Sequence, residues 1–137
     1  EIYQEVLSNT CTTTTCRQMA QLIDGYQLLK QQGIPGSTLI LDFADPFATL
    51  LHSPAPKYAA IWWHKGRTFN DQVKPPAALL FKGVNGVLIS HDTEHQGDDL
   101  RHAYAGQWES NFTRVYTDPY WELWVRKSLP QPGKTLK

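Results

Sequence analysis

The chain has few of the features that would name an activity outright. It contains only two cysteines and one methionine in 137 residues, and charge of neither sign is in excess, with thirteen Lys+Arg against thirteen Asp+Glu. That balance excludes a dedicated nucleic-acid binder, which needs a basic surplus to neutralise phosphates. It equally excludes a polybasic membrane-surface module. Long hydrophobic runs are missing too. Apolar runs such as Ala77 to Phe81 fall far short of the roughly 18 apolar residues a spanning helix requires. No signal-peptide pattern occurs, and the first residue is Glu1, not Met, so we expect a processed chain or a piece of a longer one. Internal repeats and low-complexity tracts are absent apart from Thr12–Thr15. There is no G-x-S-x-G nucleophile elbow, and Gly33-Ile34-Pro35-Gly36 lacks the spacing of a phosphate-binding loop.

The remaining composition is that of one ordinary domain. Hydrophobic residues make up 41% and aromatic residues 12%, enough to build a core at this length. Cys11 and Cys16 enclose four threonines. Four intervening residues exclude a Cys-x-x-Cys redox motif, and no further ligands stand close enough for zinc. A small disulfide loop or two free thiols remain, the loop being expected in an oxidising compartment. On one continuous helix the two would face different sides, so a bridge needs a turn before the helix.

Periodicity supplies the architecture. Met19, Leu22, Ile23, Tyr26 and Leu29 form one apolar face, predicting a helix over 17–32, with Thr15 and Gln18 as a capping box and Gly33 as the stop. Gly25 inside it implies that something packs closely there. Strands are expected at 38–43, 58–63, 84–90, 112–116 and 120–126, short helices at 47–52 and 77–82, and a further helix from Asp98 with Leu100, Ala103, Tyr104 and Trp108 on one face. Strands joined through helices pair in parallel, and the last two form an antiparallel hairpin about Thr117-Asp118-Pro119. The fold class is therefore α/β: a small sandwich with a mixed sheet and flanking helices. We divide the chain into an N-terminal segment with a Cys loop (1–16), one α/β domain (17–127) and a flexible tail (128–137).

Four stretches carry a resemblance: Leu41–Phe47, Trp62–Thr68, Gly83–Ile89 and Val115–Arg126 (Val-Tyr-Thr-Asp-Pro-Tyr-Trp-Glu-Leu-Trp-Val-Arg). Their order resembles the C-terminal extracytoplasmic domain of bacterial polytopic membrane proteins of the GT-C glycosyltransferase type, over about residues 15–127. The resemblance implies an extracytoplasmic location, a transmembrane portion of the parent chain as partner, and a sugar or lipid-linked ligand. It fits a bonded Cys11–Cys16 pair. That family's catalytic acid lies in the membrane part, to which nothing here corresponds, so no catalytic residue carries over.

Three constellations hold chemistry. Trp62, Trp63, His64, Lys65 and Arg67 put two indoles beside cations, suited to a ring face with a phosphate; the plainer reading makes one Trp core and sets the other against a partner. Asp42 and Asp45 flank the C-terminal end of the first strand, where open α/β sheets bind ligands; the plainer reading makes Asp45 a helix cap. His91, Asp92, Glu94, His95, Asp98, Asp99 and His102 are ligand-type residues, read as a solvated loop and helix N-terminus. No metal and no cofactor are expected. Asn111-Phe112-Thr113 matches a glycosylation sequon by spacing. The expected role is a non-catalytic accessory domain of a membrane glycosyltransferase-like protein. The rivals are a free-standing α/β hydrolase using Asp42/Asp45 or the His91 cluster, and a carbohydrate-binding module built on Trp62 and Trp63.

Overall fold

Helix α2, Thr14–Gln32, is the longest element. It starts earlier than the capping box at Thr15 implied. The cap is Thr13, whose hydroxyl accepts the Cys16 amide N–H. Gly33 ends the helix in the left-handed conformation, at φ 58°, which a residue without Cβ adopts at little cost. The helix expected over 17–32 therefore begins three residues earlier, at Thr14. Cys16 is buried in the first turn and bonded to Cys11, with Cα atoms 5.4 Å apart. The turn that makes this bridge lies just ahead of the helix. In the chain-entropy view, so small a loop contributes about 2 kcal/mol. Ahead of it a short helix, α1 (Ile2–Ser8), lies against α2; the sequence reading assigned no helix there.

The computed structural model describes residues 2–8, 10–60, 62–91 and 97–129. The remaining elements are β1 (Ser37–Leu41), α3 (Phe47–Leu50), α4 (Ala77–Leu80), β2 (Val84–Ser90), α5 (Gly97–Ala103), a 3-10 turn (Glu109–Asn111), β3 (Phe112–Thr117) and β4 (Trp121–Arg126). They form a four-stranded mixed sheet in the order β1-β2-β4-β3. β1 and β2 are parallel; β4 is antiparallel to both β2 and β3. The fold is the expected α/β arrangement. Among the described residues of the segment 58–63 no strand forms, and Trp62 makes an isolated bridge with Ala44. The tail beyond residue 129 and the loop at 92–96 lie outside the described residues.

Alternation along the strands sends side chains to two cores. Leu39, Leu41, Val87 and Ile89 meet Trp63, Phe69, Leu80, Phe81, Leu100, Tyr104, Trp108 and Phe112 on one face. Ile40, Leu88, Trp121 and Leu123 meet Leu28 and Leu29 of α2 and Phe47 of α3 on the other. The sheet is thus covered on both sides, which explains the consecutive apolar residues Val87-Leu88-Ile89 of β2. Each pairing that involves an outer strand is irregular. Register shifts fall at Ser37/Thr38 in β1 and at Arg114/Tyr116 in β3, while β2 and β4 pair residue for residue.

The close approach implied by Gly25 is present. A Cβ placed there would lie 2.7 Å from Phe47 Cζ and 2.9 Å from Trp121 Nε1. Trp121 is fixed in turn, since its indole N–H donates to the Gln21 carbonyl at 2.8 Å. Glycine is thus the residue that lets α2 sit down on β4.

Candidate functional site

The parallel pair β1–β2 sets its C-terminal ends side by side, and these ends are tied together. Ser90, fully buried at the end of β2, donates its hydroxyl to Asp42 Oδ1 at 3.0 Å. Asp45 turns the other way. Its Oδ1 accepts the amides of Phe47 at 3.0 Å and Ala48 at 3.3 Å, capping α3. Burial pushes the Asp45 carboxyl above its usual range, and the two amides oppose that shift. Asp42 joins strand ends and Asp45 starts a helix.

Beyond β1 the chain exposes aromatic rings. Phe43 and Trp62 lie 5.7 Å apart between ring centroids, Trp62 and His64 5.8 Å, and Phe43 and His64 6.3 Å. The three rings therefore contact one another, and both Phe43 (41%) and Trp62 (36%) are exposed. Backbone bonding fixes the placement, since the Trp63 amide donates to the Phe43 carbonyl at 2.9 Å. The adjacent indole behaves differently. Trp63 is 2% exposed and packs edge-on against Phe69 with centroids 5.6 Å apart. It belongs to the core, and of these two adjacent indoles Trp62 is the exposed one.

The following loop is tightly wound. The His64 amide donates to Thr68 Oγ1 at 2.7 Å, and the Arg67 and Thr68 amides return to the His64 carbonyl. One ring nitrogen of His64, Nδ1, lies 3.0 Å from the Lys65 carbonyl. Lys65 reaches Asp99 of α5 at 3.6 Å, an exposed pair that anchors the loop weakly. Arg67 is exposed in the same loop. An aromatic platform with two cations beside it results, chemistry that fits a ring face bearing a negative group.

Of the histidine and carboxylate run, Asp92, Glu94 and His95 lie outside the described residues. His91 Nε2 is 3.2 Å from Thr117 Oγ1, and Asp99 is paired with Lys65. Among the described residues no group of three metal-ligating side chains converges.

Two features were missed by the sequence reading. Phe43 was assigned to the strand, yet it is a platform member; its position beside a chain-turning Asp was the available signal. The second is a carboxyl pair. Asp24 on α2 hydrogen-bonds Asp118 in the β3–β4 turn, and Asp118 also accepts the amides of Tyr120 and Trp121 and the Tyr116 hydroxyl. Burial, then the Asp118 hydrogen bond and charge, push Asp24 up to about 7. Burial alone would raise Asp118 as well, but its four hydrogen bonds hold it below the usual range. Below about pH 7 the pair therefore keeps its proton on Asp24. Because the folded value of Asp24 exceeds the unfolded one of 3.8, its contribution to stability is complete below about pH 4 and is lost as pH rises through about 7. Asp24→Asn keeps a donor that does not titrate. In denaturant melts the variant should lose less stability than the parent between about pH 5 and pH 8; identical pH slopes would contradict the shared proton.

Neither a family model, nor a curated protein, nor a solved structure matches this chain.

Proposed function

We propose that this chain is the non-catalytic, extracytoplasmic part of a membrane-embedded glycosyltransferase-like protein, and that it holds a sugar ring bearing a phosphate on its aromatic platform. The observation that carries the reading is the exposed Phe43–Trp62–His64 cluster with Lys65 and Arg67 in the adjoining loop. Three rings in contact with one another and left open to solvent contribute little to the core, whereas they suit stacking on a flat apolar face. The Cys11–Cys16 bond fits an oxidising compartment. Asp42 and Asp45, the carboxylates nearest the platform in sequence, are engaged with Ser90 and the α3 amides. A binding role is consistent with that use. The partner is the transmembrane portion of the same parent protein.

The test is titration with glucose 1-phosphate, with glucose and inorganic phosphate as separate arms, followed by tryptophan fluorescence. Trp62→Ala should weaken binding of the sugar phosphate by about tenfold or more, roughly 1.4 kcal/mol. Its thermal melt should stay within about 0.5 kcal/mol of the parent, as for an exposed site. Arg67→Ala should weaken the phosphate-bearing probe more than glucose itself. Equal affinity of parent and Trp62→Ala would remove the platform from binding, and sugar or phosphate release by the chain alone would overturn the non-catalytic reading.

A further inference from the structure

At the opposite end of the sheet a second pocket opens between α4, the 3-10 turn and the end of β4. Its volume is about 410 Å³, within the range of small-molecule sites. It lies near the start of β2, whereas the platform lies beyond the C-terminal end of β1, so the length of a strand, about 20 Å, separates them.

The composition of its lining is one-sided. Lys82, Arg126, Gln107 and Asn111 surround a floor that includes Trp108 and Phe112. Two cations and two amides face the space, and among the described lining residues there is no carboxylate. The state of each donor matters. Arg126 is immobilised: Nε donates to the Val84 carbonyl and Nη2 to the Phe81 carbonyl, both at 2.8 Å, and the guanidinium lies 4.8 Å from the Phe112 ring centroid. Those partners are neutral, so they orient the positive charge without cancelling it, and a guanidinium has five N–H donors, more than these bonds use. Lys82 is exposed at the rim. Trp108 is 1% exposed, and its indole N–H is buried with no acceptor. A buried unsatisfied donor is costly and uncommon. Pre-oriented positive charge above an aromatic floor is the chemistry of anion recognition.

We infer that the pocket between α4 and the end of β4 binds a small organic anion, its carboxylate or phosphate head toward Lys82 and Arg126 and its flat apolar body against Trp108 and Phe112. The site is independent of the platform and of the function proposed for it. The test uses the full chain, nitrogen-15 labelled, with benzoate and phenyl phosphate as probes and sodium chloride at matched ionic strength as control. Both probes should shift the Trp108 indole and Asn111 side-chain resonances saturably, with affinities in about the millimolar range. The tighter probe identifies the head group. Lys82→Glu, a substitution at an exposed position, should weaken binding by about tenfold or more, while Trp62→Ala should leave it unchanged. Absence of saturable shifts with both probes, equal shifts with chloride, or full retention of binding in Lys82→Glu overturns the inference.

Discussion

Replacing Trp63 with alanine is expected to destabilise the chain by about 3–5 kcal/mol, the cost of emptying a large buried aromatic site. The residue is 2% exposed, belongs to the core that also holds Leu39, Leu41 and Tyr104, and packs edge-on against Phe69. For a domain of this size the melting temperature should fall by roughly 10 °C or more. Trp62→Ala, one residue earlier, should barely move it. The contrast separates two indoles that are identical in local sequence. Calorimetry on both variants decides it, and a mild effect of Trp63→Ala would return that side chain to the surface and to the list of ligand contacts.

Gly25→Ala should also destabilise, by about 1–3 kcal/mol. The sign is the informative part. In an exposed helix interior the same exchange stabilises by up to about 1 kcal/mol, since alanine is the better helix former. Here the new methyl would meet Phe47 Cζ at 2.7 Å and Trp121 Nε1 at 2.9 Å. Trp121 cannot yield without weakening its hydrogen bond to the Gln21 carbonyl. The helix would have to lift from β4, loosening the contact of Leu28 and Leu29 with Leu88 and Leu123. Equilibrium denaturation measures the difference, and a more stable Gly25→Ala would show that α2 does not approach the sheet this closely.

Strands buried on both faces were the most legible part of the fold. Within Val84–Ser90 the run Val87-Leu88-Ile89 is apolar at every position because both faces of the strand are covered. The β3–β4 hairpin was equally plain, because Thr117-Asp118-Pro119 supplies turn chemistry between two alternating runs. Segment 58–63 misled for a physical reason. Its apolar character comes from Trp63 entering the core from a loop, and Ala59 and Ala60 pack only at the edge of that core. The start of α2 was ambiguous because several consecutive threonines could each cap; Thr13 does so, facing the amide of a cysteine already held by its bridge. At the candidate site, the sequence identified the Trp62–Arg67 loop but could not say which indole faces outward. That depends on the bridge between Ala44 and Trp62, a contact between separate segments. The Asp24–Asp118 pair joins a helix to a distant hairpin, and nothing local to either aspartate announces it.

Glu122 shows how much of this surface is electrostatically settled before any ligand arrives. It is 4% exposed, accepts Arg101 at 3.0 Å and the Trp124 indole, and has Arg114 at 4.0 Å. Burial would raise its carboxyl, but the Arg101 and Trp124 hydrogen bonds and the charges of Arg101 and Arg114 hold it below the usual range. The carboxylate is therefore committed to its arginines on that face of β4.

The irregular pairing of the outer strands bears on how the molecule behaves among its own copies. A flat strand with a free edge offers a row of unpaired amides and carbonyls on which another chain can add. In β3 the register shifts between Arg114 and Tyr116, and Arg114 places an exposed charge at the same point. In the β1–β2 pair the extra residue is Asn85 of the inner strand, since Ser37 faces Val84 and Thr38 faces Gly86. A bulge bends and twists the strand that carries it, so the β3 border does not present a long straight template. The regular ladder is confined to the β2–β4 pair in the middle. The β3 border is thereby guarded against the addition of a further strand, and the guard is a single extra residue beside an exposed charge.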